Sequence, residues 1–316
     1  MRLKSFIITI VALLVIANVI VAAMRRCGVV PDTAGNPPAA IGEAATPPPE
    51  PSLTPETAPA AALPSVARPP AGIEGLRLQL SRPLMFDIGT LGGLAADGEY
   101  LYVAAWDEGA RAAVLYQVER DSYGIAQVRA LAEEGTTSVG GIDAGGGLVW
   151  VPLARGGGSA GTLILGVDAQ TLEVRESREA ATDVAAVAAG SDGSVYGVTR
   201  DGGRWLEWPP VGGPSREVAS AAGVRYTDLA HAAGSLVAAG TDGVSGVVDV
   251  IEPLGFTLLA RHACDGGAWV TSGGLAVVGE AVLLLPEGGP RPSVLSYVPE
   301  GGELAAFAPS VGGAGP

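Results

Sequence analysis

Cysteine and histidine are scarce in this chain, whose 316 residues contain two of each. Such small numbers exclude a disulfide-rich scaffold and a Cys/His zinc cluster. Basic residues are also few: 18 arginines and one lysine stand against 33 acidic residues, and the net charge is −14. We therefore expect no nucleic-acid partner, because binding nucleic acid requires a basic surface.

Glycine and proline are abundant instead, with 47 and 24 residues. The glycines follow no three-residue period, which excludes a collagen-like chain. The chain is also longer than most single cores need, so a division into segments is expected.

A long apolar run spans residues 6–24, where Thr9 and Asn18 are the only polar residues. This is close to the ~20 residues with which a helix crosses a bilayer. The sequence therefore predicts a tail (residues 1–5) and a single transmembrane signal-anchor helix (residues 6–24). A cleaved signal peptide is the alternative, since residues 21–23 are small, but the apolar run is long for a signal core. Both place the remaining chain outside the cytoplasm.

Residues 25–72 form the next segment, and half of all prolines lie in residues 31–72. Such a composition cannot bury enough apolar surface to fold. We expect a disordered, proline-rich linker reaching up to roughly 130 Å at ~3.1 Å per residue. When the charges of the linker (−3) and of the four basic residues beside the helix (+4) are subtracted from the total, residues 73–316 are left with a charge of −15.

A pattern of about 45 residues repeats five times between residues 93 and 308. Each unit has a small-apolar-small start, a turn and an apolar strand. The central apolar residues are Leu94, Ile142, Val187, Leu229 and Leu275, at steps of 48, 45, 42 and 46 residues. A third apolar strand follows in every unit, and a weaker fourth follows in most.

Glycine and Asp-Gly pairs, among them Asp192-Gly193 and Asp242-Gly243, separate these strands as tight turns. Four strands in about 45 residues are typical of a β-propeller blade. We predict an all-β, five-bladed β-propeller over residues 73–316, closed by an early strand from Leu76 to Leu80. A six-bladed propeller and an open solenoid are the alternatives, although residues 73–92 are short for a sixth blade and no capping ends are visible.

The stretch from Val139-Gly140-Gly141-Ile142-Asp143 to Trp150-Val151-Pro152 resembles a family of uncharacterised bacterial propeller proteins. Tyr226-Thr227-Asp228 is similar to that family as well. The resemblance covers residues 138–300 and implies the propeller fold, but it implies no activity. Two histidines of the family pattern are replaced here by Ser138 and Val184, so it implies no histidine chemistry for this chain.

The first strand of each blade lines the centre of a propeller, with alternate residues pointing inward. If the five central apolar residues face the blade cores, their neighbours face the channel. Those neighbours are small except for Asp143 and Asp228. Two carboxylates in a narrow apolar channel are costly unless they are paired, protonated or bound to a metal.

Arginines cluster in the connections predicted at one face. Candidate binding residues there, together with Asp143 and Asp228, are Arg111, Arg155, Arg200, Arg225 and Arg291. They predict either a site for an anionic or polar ligand, or surface charges and partners of the two aspartates. His262 is placed in a blade-to-blade connection, and His231 is interpreted as a residue satisfied beside a blade core.

These features favour a membrane-anchored, extracytoplasmic binding module over an enzyme, with no cofactor and no catalytic residue assigned. Its partner would be a small polar ligand or an envelope protein. One alternative is a metal-dependent hydrolase, lactonase-like or phosphodiesterase-like, that uses Asp143 and Asp228. Another is a structural spacer. A disulfide between Cys27 and Cys264 requires the linker to fold back and stays open.

Overall fold

The structure is a computed structural model that describes residues 72–300, except 157–160, 211–214, 221–222, 266 and 289–290. The predicted tail and anchor helix, and the linker up to residue 71, lie outside the described residues. So does Cys27. Within the described part of the chain, no helix has the length and apolar character needed to cross a bilayer.

The described strands form five antiparallel sheets, and four of them come from consecutive segments. The first blade contains β2 (Thr90–Ala96), β3 (Tyr100–Asp107), β4 (Ala112–Glu119) and β5 (Ile125–Leu131). The second contains β6 (Thr136–Val139), β7 (Asp143–Gly145), β8 (Leu148–Arg155), β9 (Thr162–Asp168) and β10 (Val174–Ala180). The third contains β11 (Val184–Ala189), β12 (Val195–Thr199), β13 (Arg204–Trp208) and β14 (Arg216–Ala219). The fourth contains β15 (Arg225–Ala232), β16 (Ser235–Thr241), β17 (Gly246–Glu252) and β18 (Thr257–Cys264).

The fifth blade joins the two ends of the domain. A short 3₁₀ helix (Ala268–Thr271) precedes β19 (Gly274–Val278), β20 (Ala281–Leu285) and β21 (Ser293–Pro299), and the outer strand is β1 (Leu76–Pro83). Leu76 pairs with Pro299, and Pro83 pairs with Ser293. The predicted closing strand is confirmed, although it extends three residues beyond Leu80. The fold is a five-bladed β-propeller, and the six-bladed and solenoid alternatives are wrong.

The core lies within and between the blades. Leu94, Ile142, Val187, Leu229 and Leu275 are all fully buried, as their place in the repeat predicts. Inner and middle strands consist mainly of consecutive buried residues because sheets pack on both of their faces. The outer strands β5 and β10 are mostly exposed, which explains their weak apolar pattern in the sequence.

The Asp-Gly pairs form turns, as predicted. Asp192 accepts a hydrogen bond from the backbone N–H of Ser194 at 2.9 Å, and Gly193 has φ 86°. Asp242 accepts from Val244 and Ser245, and Gly243 has φ 94°. The aspartate side chain closes each turn, and the glycine adopts a left-handed conformation that other residues rarely adopt.

Four inner strands are irregular near their beginnings. The register of β2, β11 and β15 shifts by one residue at Gly92, Ala185 and Thr227. In the second blade, β6 and β7 are separate strands with Gly140 between them. Each of these residues lies two positions before the central apolar residue of its blade. The irregularities therefore meet around the axis at one face of the propeller.

Candidate functional site

A depression of about 260 Å³ lies at this face, where the inner strands begin. The four irregular positions, Gly92, Gly140, Ala185 and Thr227, contribute to its lining. They are small because neighbouring backbones approach closely there. A Cβ atom on Gly140 would lie 2.2 Å from the carbonyl oxygen of Ala185. The bulges and the small residues together shape a concave surface on the axis.

Asp228 lies directly below this surface, next to Thr227. Its carboxylate oxygen Oδ2 accepts backbone N–H groups from Leu94 at 2.9 Å and Leu275 at 2.7 Å. Oδ1 accepts the N–H group of Leu229 at 2.9 Å. The side chain is fully buried. One carboxylate therefore joins the inner strands of the fourth, first and fifth blades.

Asp143 lies further along the axis, because it follows the central apolar residue of its blade, Ile142, whereas Asp228 precedes Leu229. Its Oδ2 accepts the N–H groups of Ala189 and His231, each at 2.9 Å. These residues belong to the inner strands of the third and fourth blades, while Asp143 itself begins β7 of the second. Both aspartates face the centre as predicted, and their partners there are backbone amides.

The two carboxylates have altered acidity. Burial raises the pKa of Asp143 to about 7, and the N–H groups of Ala189, His231 and Ala144 partly oppose this rise. Burial also raises the pKa of Asp228 well above its ordinary value. Three backbone N–H groups oppose that rise, and the charge of nearby Asp143 adds to it. Proton uptake at the centre therefore removes negative charge from below the depression.

Two of the predicted arginines, Arg200 and Arg225, come together at the depression, and among the described residues that line it they alone are charged. Nε of Arg200 donates to Oδ2 of Asp183 at 2.8 Å. For Arg225, no carboxylate of the described residues lies within ion-pair distance. Arg225 is the first residue of β15, and its side chain is exposed.

The other three predicted arginines lie elsewhere. Arg155 pairs with Glu179 at 2.9 Å on the second blade. Arg291 forms an exposed ion pair with Asp87. Arg111 is an exposed residue of the turn between β3 and β4, with φ 51°. The structure therefore brings together two of the five arginines.

The two histidines have separate surroundings. His231 is half-buried and stacks on Tyr196 at a ring-centroid distance of 6.2 Å. Burial lowers its pKa. His262 lies within β18, so its predicted place in a blade-to-blade connection is wrong, because the outer strand continues through that residue to Cys264. Its Nδ1 lies 2.9 Å from the carbonyl oxygen of Glu74.

A buried polar network behind the depression was missed by sequence reasoning. The hydroxyl of Tyr226, which lines the depression, donates to Asp249 at 2.6 Å. The guanidinium of Arg261 binds both oxygens of Asp249, at 2.8 and 2.7 Å. Asp249 was a polar residue within the apolar strand Val247-Val248-Asp249-Val250, and that interruption was the available signal.

The donor sets bear on the metal-dependent alternative. Both carboxylate oxygens of Asp228 and Oδ2 of Asp143 accept hydrogen bonds from backbone N–H groups. A bound cation would instead need oxygen atoms that are free to coordinate it. Across the described ranges, no three His, Cys, Asp or Glu side chains group in a way that could hold a metal ion.

Comparison with solved structures supports the fold. The crystal structure of Myxococcus xanthus glutaminyl cyclase matches 71% of this chain and 96% of its own, with 13% identity and a TM-score of 0.54. The PQQ-bound aldose sugar dehydrogenase of Streptomyces coelicolor matches 73% and 99%, with 13% identity and a TM-score of 0.46. At such identity the likeness is one of fold alone. No protein-family model matches the sequence, and no curated protein matches it.

Proposed function

We propose that the propeller is a binding module for a small anionic or polar ligand, held in the axial depression by Arg200 and Arg225. The observation that carries this proposal is the charge of the lining, which has two guanidinium groups and, in the part of the chain that the structure describes, no carboxylate. A guanidinium presents several N–H donors in one plane and binds carboxylate or phosphate oxygens in pairs. Arg225 has no competing carboxylate partner in the described structure.

The surroundings make these two charges selective. The domain is strongly acidic, so anions are repelled from most of its surface and attracted only where arginines are locally in excess. Protonation of the buried aspartates also favours anion binding in the depression, because a neutral carboxyl group below it does not repel an anion.

In this proposal residues 6–24 anchor the module in the membrane and residues 25–72 hold it outside the cytoplasm, where it meets its ligand. Secretion after cleavage is the alternative arrangement. The metal-dependent hydrolase has no observation in its favour, because backbone amides already engage the two aspartates.

Titration calorimetry of the full-length protein with acetate, succinate and inorganic phosphate tests the proposal. We expect at least one anion to bind, and Arg225→Ala to weaken it about tenfold, the usual effect of losing a charged hydrogen bond. Arg291→Ala is the matched control, because Arg291 is exposed and outside the depression. The proposal is wrong if none of the anions binds, or if Arg225→Ala and Arg291→Ala have the same effect.

A further inference from the structure

A second cavity of about 480 Å³ opens beside the depression, in the cleft between the third and fourth blades. Arg200 and Arg225 line both cavities. The second cavity also has carboxylates in its wall, Asp183 and Asp201, which the depression lacks. A third arginine, Arg204, lies in the same wall, so a ligand that begins at Arg225 extends into a region that has charges of both signs.

Most charges of the cleft are already paired. Arg200 binds Asp183 at 2.8 Å, and Arg204 binds Glu217 at 2.9 Å. Two charges of the cleft form no ion pair with any described residue, the guanidinium of Arg225 and the carboxylate of Asp201, although the charge of Arg204 also acts on Asp201. Their signs are opposite, so the cleft lacks one anionic group and one cationic group.

Asp201 is held in a fixed position. Its Oδ1 accepts the hydroxyl of Thr199 at 2.6 Å and the N–H of Gly203 at 2.9 Å. These hydrogen bonds lower the pKa of Asp201, so the group is ionised at neutral pH. Within the described residues, Oδ2 has no hydrogen-bond partner.

Asp201 and Arg225 lie close to each other across the cleft. Gly202, next to Asp201, packs on the backbone of the fourth blade: a Cβ atom there would lie 2.1 Å from the carbonyl oxygen of Val224 and 3.3 Å from Cα of Arg225. The side chains of Asp201 and Arg225 nevertheless form no ion pair, so a small molecule can bind both.

The wall of the cleft also contains unsatisfied acceptors. Oγ1 of Thr182 and Oδ1 of Asp183 are buried and have no partner in the described structure. A buried polar atom without a partner is costly, so the wall of the cleft is polar beneath its surface as well as at it.

We propose that this cleft recognises a zwitterionic ligand of the amino-acid class, with its carboxylate on Arg225 and its ammonium group on Asp201. Asp183 and Thr182 lie in the same wall and make it polar. The carboxylate half rests on the proposed function, whereas the ammonium half is independent of it.

Matched ligand pairs test the proposal on the unmodified full-length protein. Titration calorimetry would compare L-alanine, β-alanine and γ-aminobutyrate with their N-acetyl and methyl ester derivatives. We expect at least one free amino acid to bind, and both of its derivatives to bind at least tenfold more weakly. Each derivative removes one charge and keeps the rest of the molecule.

Variants then assign the two charges. Arg225→Ala should weaken the free amino acid and its N-acetyl derivative alike, whereas Asp201→Asn should weaken the free amino acid and its methyl ester but leave the N-acetyl derivative unchanged. Asn keeps an oxygen that accepts the turn hydrogen bonds, so the fold is retained. Asp242→Asn is the control, because Asp242 occupies an equivalent Asp-Gly turn outside the cleft and should change nothing.

The outcomes separate this proposal from the proposed function. If an N-acetyl derivative binds as tightly as the free amino acid and depends on Arg225, the ammonium group is not recognised: the inference fails and the anion site stands. If neither the amino acids nor any simple anion binds, both proposals fail.

Discussion

At the scale of single residues, Asp143 and Asp228 have the largest structural effect. Their carboxylates together contact all five inner strands, since Asp228 joins β15 to β2 and β19, and Asp143 joins β7 to β11 and β15. A cyclic sheet arrangement with small residues at its centre leaves inner-strand amides without partners from their own blades. The carboxylates supply the missing acceptors.

Asp143 predicts how stability depends on pH. Its pKa is about 7 in the folded protein and near 3.8 in a free side chain, so the folded state holds the proton more tightly. The stabilisation that comes from protonated Asp143 is fully present below pH 4 and is lost as the pH rises through 7. The free energy of unfolding therefore falls by up to about 4 kcal/mol over this range. Urea denaturation between pH 4.5 and 7.5 measures this decrease.

The variant Asp143→Asn isolates the effect. Asn does not titrate but keeps an oxygen for the N–H groups of Ala189 and His231, so its pH profile should be flatter than that of the unmodified protein. His231 acts in the opposite direction, because its lowered pKa costs stability as pH falls. It is present in both proteins, so the comparison cancels it. Parallel profiles would contradict the assignment to Asp143.

At the scale of elements, each outer strand is linked to the following blade. In each case one side chain of the outer strand lies within hydrogen-bond distance of a backbone carbonyl group of the next blade. That carbonyl group lies near the turn between the third and the outer strand, or, in the fifth blade, just before β1. The five links are Gln127 to Gln170, Arg178 to Trp208, Arg216 to Leu254, His262 to Glu74, and Arg82 to Asp121. Three of these side chains are arginines that also lie over an aromatic ring.

Arg178 should contribute most among these links. Its guanidinium lies 4.5 Å from the centre of the Trp150 ring, donates to Trp208 at 3.1 Å, and its side chain is only 14% exposed. Arg178→Ala is expected to lower the free energy of unfolding by about 2 kcal/mol, from one cation–π contact and one charged hydrogen bond. Equilibrium urea unfolding measures it.

Arg175→Ala is the control on the same strand. Arg175 forms only exposed ion pairs, with Asp168 and Glu173, so its loss should cost less than about 0.5 kcal/mol. Equal effects of the two substitutions would show that the contact between blades adds nothing to stability.

The inner and middle strands were predictable from sequence because the period of Leu94 and its equivalents reports burial directly. The outer-strand links were not, since exposed strands carry no apolar pattern and Arg178 resembles any surface charge. The place of His262 was missed for that reason. The alternation of inward-facing and outward-facing residues in the inner strands was enough to place Asp143 and Asp228 at the centre. Their partners could not be predicted, because they are backbone N–H groups of other blades and every residue type except proline has such a group.

At the scale of the whole molecule, the ring depends on one non-local pairing, that of β1 with β21. Without β1, the edge of β21 is unpaired and the apolar cluster around Leu76 and Tyr297 is exposed. A chain that begins at residue 84 should therefore lose the cooperative unfolding transition that a chain beginning at residue 72 retains. Circular dichroism and tryptophan fluorescence during urea unfolding compare the two. Identical midpoints would mean that closure is dispensable.

The arginine cluster was predictable only in part at this scale. The repeat placed the connections at one face, but the reach of each loop from the axis depends on its length and conformation. Arg225 begins the inner strand β15 and Arg200 follows the second strand β12, whereas Arg155 pairs with a residue of its own blade and Arg291 with Asp87 in the connection from β1 to β2. Ion pairing alone does not separate the two groups, since Arg200 is paired with Asp183 just as Arg155 is with Glu179 and Arg291 with Asp87.

The closing strand also determines when the molecule can finish folding. β1 leaves the ribosome first among the strands, but its partner β21 is made about 220 residues later. At about 5–20 residues per second the wait is roughly 10–45 s. During that interval four blades can assemble as an open arc while the first strand still has a bare edge. A factor that recognises unpaired strands in newly made chains thus has tens of seconds to act on β1.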